Sequence, residues 1–139
     1  MLKKKFRNCD VICDEKIKLS ILKKSIFAVS KSGTISLEIC NSKVPSIIIY
    51  KMSRINFFIV KMLAKVKFAN IVNITANNEI IPELLQSNCN AENIFSNVEN
   101  LLNNEYLIKK QVDSSQEVIS KFKTNRSSEI AASVLLKYL

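Results

Sequence analysis

Ile26-Phe27-Ala28-Val29-Ser30-Lys31-Ser32-Gly33-Thr34-Ile35-Ser36-Leu37-Glu38 is a short apolar run, a polar turn and the opening of a helix. Ile26 to Ser30 has the length and composition of a strand. Lys31-Ser32-Gly33 makes the turn, and the only glycine of the chain lies in it. Thr34 then starts a helix predicted to run to about Asn41. Val44-Pro45 opens a second strand, Ser46 to Tyr50, in which Ile47-Ile48-Ile49 predicts burial on both faces. Two buried strands joined by a helix imply parallel pairing, because the helix carries the chain back to the starting edge.

The reading extends in both directions from this unit. Upstream, residues 1–8 form a basic tail, Asp10 to Cys13 is a candidate short strand, and Asp14 is an N-cap for a helix to about Lys24. Ile17, Ile21 and Leu22 share one face of that helix. Downstream, a helix is expected from Arg54 to Val66 and a third strand from Ala69 to Ile74. Pro82 suits the first turn of a short helix ending at Gln86. Asn90 can cap a helix with the stripe Ile94, Val98, Leu101 and Leu102, and two more helices follow, Tyr106 to Phe122 and Ser127 to Tyr138. The expected fold class is α/β: a Rossmann-like parallel sheet with flanking helices and extra helices at the C-terminus. One domain covers residues 9–139, with a helical tail from about residue 104.

Composition agrees with a packed domain. The chain has 139 residues, 47% hydrophobic and 24% charged, and a domain of this size buries roughly 70% of its unfolded surface. One Gly and two Pro argue against a loop-rich all-β fold. The net charge of +9 suits an anionic partner, whether nucleic acid, a phosphate ligand or an acidic membrane, or else a lysine-rich solvated surface. Met1 to Arg7 resembles the start of a signal peptide, but Asn8, Asp10, Asp14 and Glu15 interrupt any apolar segment after it. Ile47 to Tyr50 and Phe57 to Val60 are too short to span a bilayer. The expected location is cytoplasmic, peripheral to a membrane at most. Cys9, Cys13, Cys40 and Cys89 fit neither a zinc site nor a redox pair, and the chain has no His, so no metal or cofactor is expected.

The chemistry concentrates in the turn. A helix N-terminus offers unpaired amides and partial positive charge to a diphosphate. Gly33 permits close backbone approach, and Ser32 and Thr34 add hydroxyls. Glu38 lies one turn beyond Thr34 on the same helix face, where a carboxylate can accept from both hydroxyls of a ribose. A nucleotide would lie this way across the edge of an α/β sheet. An ordinary strand-to-helix connection with Thr34 as cap has the same local pattern.

The residues around the turn carry a resemblance. Ala28-Val29-Ser30-Lys31-Ser32-Gly33-Thr34-Ile35-Ser36-Leu37-Glu38 resembles the nucleotide motif of the lipid-A-disaccharide synthases. Val44-Pro45 leading to Tyr50-Lys51, and Phe58 to Val66, are similar to stretches of that family, and Asn73 falls on one of its asparagines. Glu79-Ile80-Ile81-Pro82-Glu83-Leu84-Leu85-Gln86 and Cys89-Asn90-Ala91-Glu92-Asn93 resemble two further stretches, in the same order. The resemblance covers most of residues 10–139 and is most specific in residues 26–94. It implies the C-terminal domain of a GT-B fold. It also implies a reaction that moves 2,3-diacylglucosamine from UDP to 2,3-diacylglucosamine 1-phosphate at the inner membrane, in lipid A biosynthesis. By resemblance Ser32, Gly33 and Thr34 face the diphosphate, Glu38 the ribose, and Tyr50 and Asn73 the donor side.

Departures from the family also matter. Val72 stands where Pro is common, and Asn77 and Asn78 stand where the family has Gly and Arg. Family members are about three times as long as a single domain of this size, and the resemblance places the acceptor site and the catalytic base in an N-terminal domain. No catalytic residue is therefore expected here. The expected roles are UDP-sugar binding as half of a split enzyme, with a separately encoded N-terminal half or a homodimer as partner states, or a degraded remnant. Arg54, Phe58, Lys61 and Lys65 form one helical stripe, readable as a membrane or phosphate contact or as a solvated edge. The rival classes are a basic nucleic-acid-binding module, for which no motif is present, and a helical interaction protein.

Overall fold

The computed structural model describes residues 9–53, 67–122 and 132–137. The basic tail, the expected helix at 54–66 with Arg54, Lys61 and Lys65, and most of the expected helix at 127–138 lie outside these residues. Within the last of these, residues 132–135 are helical, and Leu136 N–H donates to Ala132 C=O at 3.0 Å.

Three strands, β1 (Ala28–Lys31), β2 (Ser46–Tyr50) and β3 (Glu83–Leu85), form a parallel sheet in the order β1-β2-β3. The registers are Ala28↔Ser46 and Ile48↔Glu83. Ladder pairing of β1 begins two residues after the expected start, because β2 begins at Ser46 and Ala28 N–H donates to Pro45 C=O at 2.9 Å. Ile26 is left outside the sheet, 78% exposed. The expected strand at Asp10 to Cys13 does not form; these residues are exposed coil with no ladder partner among the described residues. The helix after them, α1 (Glu15–Leu22), starts where Asp14 predicts, and its carboxylate accepts from the amides of Lys16 and Ile17 at 2.9 Å.

The helix α2 (Ile35–Asn41) connects β1 to β2. It ends in a Schellman turn. Lys43 takes a φ of 59°, Val44 N–H reaches Ile39 C=O and Lys43 N–H reaches Cys40 C=O, and Val44 and Ile39 are both buried. That closure turns the chain into β2.

Two expectations are overturned between residues 69 and 88. The strand expected at Ala69 to Ile74 is instead a helix, α3 (Ile71–Ala76). The β-branched run Ile71, Val72, Ile74, Thr75 favours extended chain, but two side chains hold the helix start. Asn70 caps Val72 N–H at 2.8 Å, and the Glu83 carboxylate accepts from the amides of Ala69 and Asn70 at 2.7 and 2.9 Å. The helix expected at Pro82 to Gln86 is the third strand, followed by a single 3-10 turn at Gln86–Asn88. Pro82 lacks an amide, yet its carbonyl accepts from Ile48 N–H at 2.9 Å and opens the ladder. Helix propensity of Glu-Leu-Leu-Gln loses there to pairing with an already buried strand. Asn77, in place of the expected Gly, closes α3 with a left-handed φ of 50°, a conformation that Asn tolerates.

Helices α4 (Ala91–Leu102) and α5 (Glu105–Phe122) follow β3. Asn90 caps α4 as expected, accepting from Asn93 N–H at 2.8 Å. Ile47 and Leu84 pack with Leu101, Ile94 and Val98 on one face of the sheet. Ile48 packs with Cys40, Val72, Ile81, Val118 and Ile119 on the other. Ile47 and Ile48 are both 0% exposed, so β2 is buried on both faces as its sequence predicts. Each such side chain contributes about 1.5–3 kcal/mol. Gln111 locks α5 to the start of β2: its Oε1 accepts from Ser46 N–H at 2.7 Å and its Nε2 donates to Ser46 C=O at 2.9 Å.

Gln111→Leu leaves that buried amide and carbonyl unpaired. We expect a loss of about 2–4 kcal/mol in denaturant unfolding, since each unsatisfied group costs about 1–3 kcal/mol; a loss below about 0.5 kcal/mol would show that the clamp contributes little. Cys40 is buried, and desolvation pushes its thiol pKa up, whereas Cys9 and Cys13 are exposed. In the native chain at neutral pH, a thiol reagent should modify Cys9 and Cys13 first and Cys40 only on unfolding.

Candidate nucleotide site at the carboxyl edge of the sheet

All three strands end at one edge, and the turn Ser32-Gly33-Thr34 lies there between β1 and α2. Gly33 has a φ of 146°, a conformation L-residues rarely adopt, and a Cβ built on it meets nothing within 4 Å. Glycine is thus required by the backbone, and the space beside it is open. Thr34 caps α2 without a side-chain hydrogen bond, so its hydroxyl is not used by the helix. Gly33 C=O is bound instead by Ser36, through its hydroxyl at 2.6 Å and its amide at 3.2 Å. The amides of Ser36 and Leu37 are used within the turn, so Gly33, Thr34 and Ile35 are the ones left without a carbonyl partner among the described residues.

Ser32 has a different partner from the one its sequence suggests. Its hydroxyl donates to Ala69 C=O at 2.6 Å and ties the turn to the segment before α3. Only its oxygen lone pairs and its backbone remain for a ligand. Tyr50 ends β2, half-buried, with Lys31 Nζ 4.8 Å from the centre of its ring. Lys31 and Lys51, both exposed, give this edge positive charge. Lys31 sits inside the motif, and sequence reading passed over it because lysine is frequent throughout the chain.

Glu38 lies one helical turn beyond Thr34, as its spacing predicts, and its amide reaches Thr34 C=O at 3.4 Å. Its carboxylate is not isolated. Lys18 Nζ of α1 stands 3.1 Å from Glu38 Oε2 and 2.6 Å from Glu15 Oε2. Oε2 of Glu38 is buried, and Lys18 is the cation that reaches it among the described residues. The Glu15 and Glu38 carboxylates raise the Lys18 pKa. Lys18, Ile21, Ser30, Ile35 and Ile39 also line an open, mostly apolar cavity of about 260 Å³ between α1, β1 and α2.

Asn73 is set apart from these groups. It is fully buried, and its amide is saturated from within. Nδ2 donates to Ile81 C=O at 2.7 Å and Glu83 Oε1 at 2.8 Å, while Oδ1 accepts from the amides of Ile80 and Ile81 at 2.9 and 3.0 Å. Asn73 fixes the loop between α3 and β3, together with Glu83. The role of Glu83 was hidden in the sequence, since its three donors lie ten to fourteen residues upstream. The structure therefore brings Ser32, Gly33, Thr34 and Tyr50 to one edge, places Glu38 one turn along α2, and puts Asn73 in the interior. Among the described residues no three His, Cys, Asp or Glu side chains are grouped to hold a metal ion.

Comparison with known proteins supplies the family. Residues 1–137 match the family described as lipid-A-disaccharide synthetase. The chain is 42% identical over 112 residues to a lipid-A-disaccharide synthase of Rickettsia felis, covering 79% of this chain and 29% of that protein. It is 44% identical over 101 residues to one of Rickettsia conorii, covering 71% and 23%. Over 115 residues it is 39% identical to one of Rickettsia prowazekii, covering 81% and 30%. The chain thus spans less than a third of the length of these curated relatives. Its α/β fold, its ordered motifs and this match agree, and the chain belongs to the lipid-A-disaccharide synthetase family.

Proposed function

We propose that this chain binds a UDP-sugar, with UDP-2,3-diacylglucosamine as the glycosyl donor, and serves the lipid A glycosyltransferase reaction as the nucleotide-binding part of a GT-B enzyme. The observation that carries this reading is the Ser32-Gly33-Thr34 turn, open at the end of β1, with Glu38 one turn beyond it. The amides of Gly33, Thr34 and Ile35 and the Thr34 hydroxyl face the diphosphate, and Lys31 adds charge. Glu38 receives the ribose hydroxyls. Tyr50 forms the wall of the donor side, and Asn73 supports that side indirectly through the loop it holds. The support for UDP at the leaving position comes from this edge.

Transfer to the acceptor, 2,3-diacylglucosamine 1-phosphate, also needs a base for its hydroxyl proton. In this reading the base and acceptor site come from an N-terminal half, separately encoded or otherwise joined, and the chain alone turns nothing over. A homodimer is the alternative partner state, and a degraded gene the alternative origin. The chain acts at the cytoplasmic face of the inner membrane, held there peripherally through Arg54, Lys61 and Lys65. No helix among the described residues is long and apolar enough to cross a membrane.

Calorimetry with UDP should show weak binding, and an assay with both lipid substrates should show no disaccharide from this chain alone. Glu38→Gln should weaken UDP by about 1–3 kcal/mol, the worth of a charge-assisted hydrogen bond, with the melting curve preserved. Equal affinity of the two forms would remove Glu38 from the site, and turnover by the chain alone would falsify the divided-enzyme reading. Separately, vesicles containing anionic lipid should bind the chain and release it as salt rises, since each basic group near such a surface is worth about 1 kcal/mol. Equal binding to neutral vesicles would leave the basic stripe as a solvated edge.

A further inference from the structure

Resting on the UDP reading above, we propose that Lys18 is a positioning residue for Glu38, clamping one carboxylate oxygen so that the other is presented to the ribose diol. The clamp starts from geometry. Both ion pairs seen among the described residues, Lys18–Glu15 and Lys18–Glu38, converge on this one ammonium beside the nucleotide turn. In a chain of net charge +9, that is a selective use of one cation.

The two oxygens of Glu38 have different surroundings. Oε2 is buried and lies 3.1 Å from Lys18 Nζ. The side chain as a whole is 39% exposed, and Oε1, unlike Oε2, is not among the buried unpaired oxygens and accepts from no described donor. An unanchored glutamate at a surface turns freely about its side-chain bonds, and that freedom is lost on binding. Holding Oε2 in advance removes part of this loss for the partner that binds Oε1.

Glu15 has a distinct part. A lysine paired with Glu38 alone would neutralise it and weaken it as an acceptor. Shared between two carboxylates, Lys18 leaves the trio with one net negative charge. Glu38 keeps its acceptor strength for neutral hydroxyls while its plane is fixed. Lys18 lines the apolar cavity together with Ile35 and Ile39. This contact also joins α1, which buries none of its residues, to the rest of the domain.

The test is a titration of the whole chain with three ligands: UDP, 2′-deoxy-UDP and inorganic pyrophosphate. The unsubstituted chain should prefer UDP over the deoxy form. Lys18→Met should lower UDP affinity about tenfold, within the range of one charge-assisted contact, and collapse the preference, while pyrophosphate binding stays the same. Lys18→Arg, which keeps the cation, should retain the preference, and it remains informative if the Met variant is unstable. An unchanged UDP to deoxy-UDP ratio in Lys18→Met overturns the positioning role. So does an equal loss of all three ligands, which marks a structural role only. An unsubstituted chain that binds no UDP overturns the nucleotide reading itself, and the positioning role with it.

Discussion

Burial of β2 on both faces is the constraint from which the rest of the fold follows. Ile47 and Ile48 point to opposite sides of the sheet, and neither retains solvent contact. A three-stranded parallel sheet can achieve this only with helices on both faces. On one side α4 supplies Leu101, Ile94 and Val98; on the other, α2, α3 and α5 supply Cys40, Val72 and Val118. Helix α5 touches both clusters, through Leu107 and through Val118 and Ile119, and Gln111 pins it at the amino end of β2.

A second hub links this core to the candidate site. Glu83 begins β3 and spends its carboxylate on three donors from the start of α3. A negative charge at a helix N-terminus is favourable, and here it is also hydrogen-bonded. The same segment offers Ala69 C=O to the Ser32 hydroxyl. The Ser32-Gly33-Thr34 turn is thereby tied to α3 and, through Glu83, to β3. Asn73 and Glu83 act on the site at one remove, by fixing the backbone against which Ser32 rests.

The carboxyl edge combines open amides with lysines, and its one carboxylate of consequence is held by a lysine from another helix. This division of charge fits a ligand with an anionic and a neutral polar part. The family relationship is what makes a UDP-sugar the ligand proposed for this edge.

The sequence by itself determined the βαβ unit at residues 26–50, the caps at Asp14 and Asn90, the double burial of β2, and the Thr34–Glu38 spacing. All of these are local: periodicity, cap chemistry and helix pitch act over a few residues. Tertiary structure decided the segment from 69 to 88. There a β-branched run became α3 because Glu83 caps it from ten or more residues away, and a helix-prone Glu-Leu-Leu-Gln became β3 because Ile48 and Tyr50 offered a ladder edge. It likewise decided that Ser32 binds Ala69, that Asn73 is saturated inside the protein, and that Lys18 reaches Glu38. Those contacts join residues distant in the chain, and no local pattern records which polar group will meet which once the core has closed.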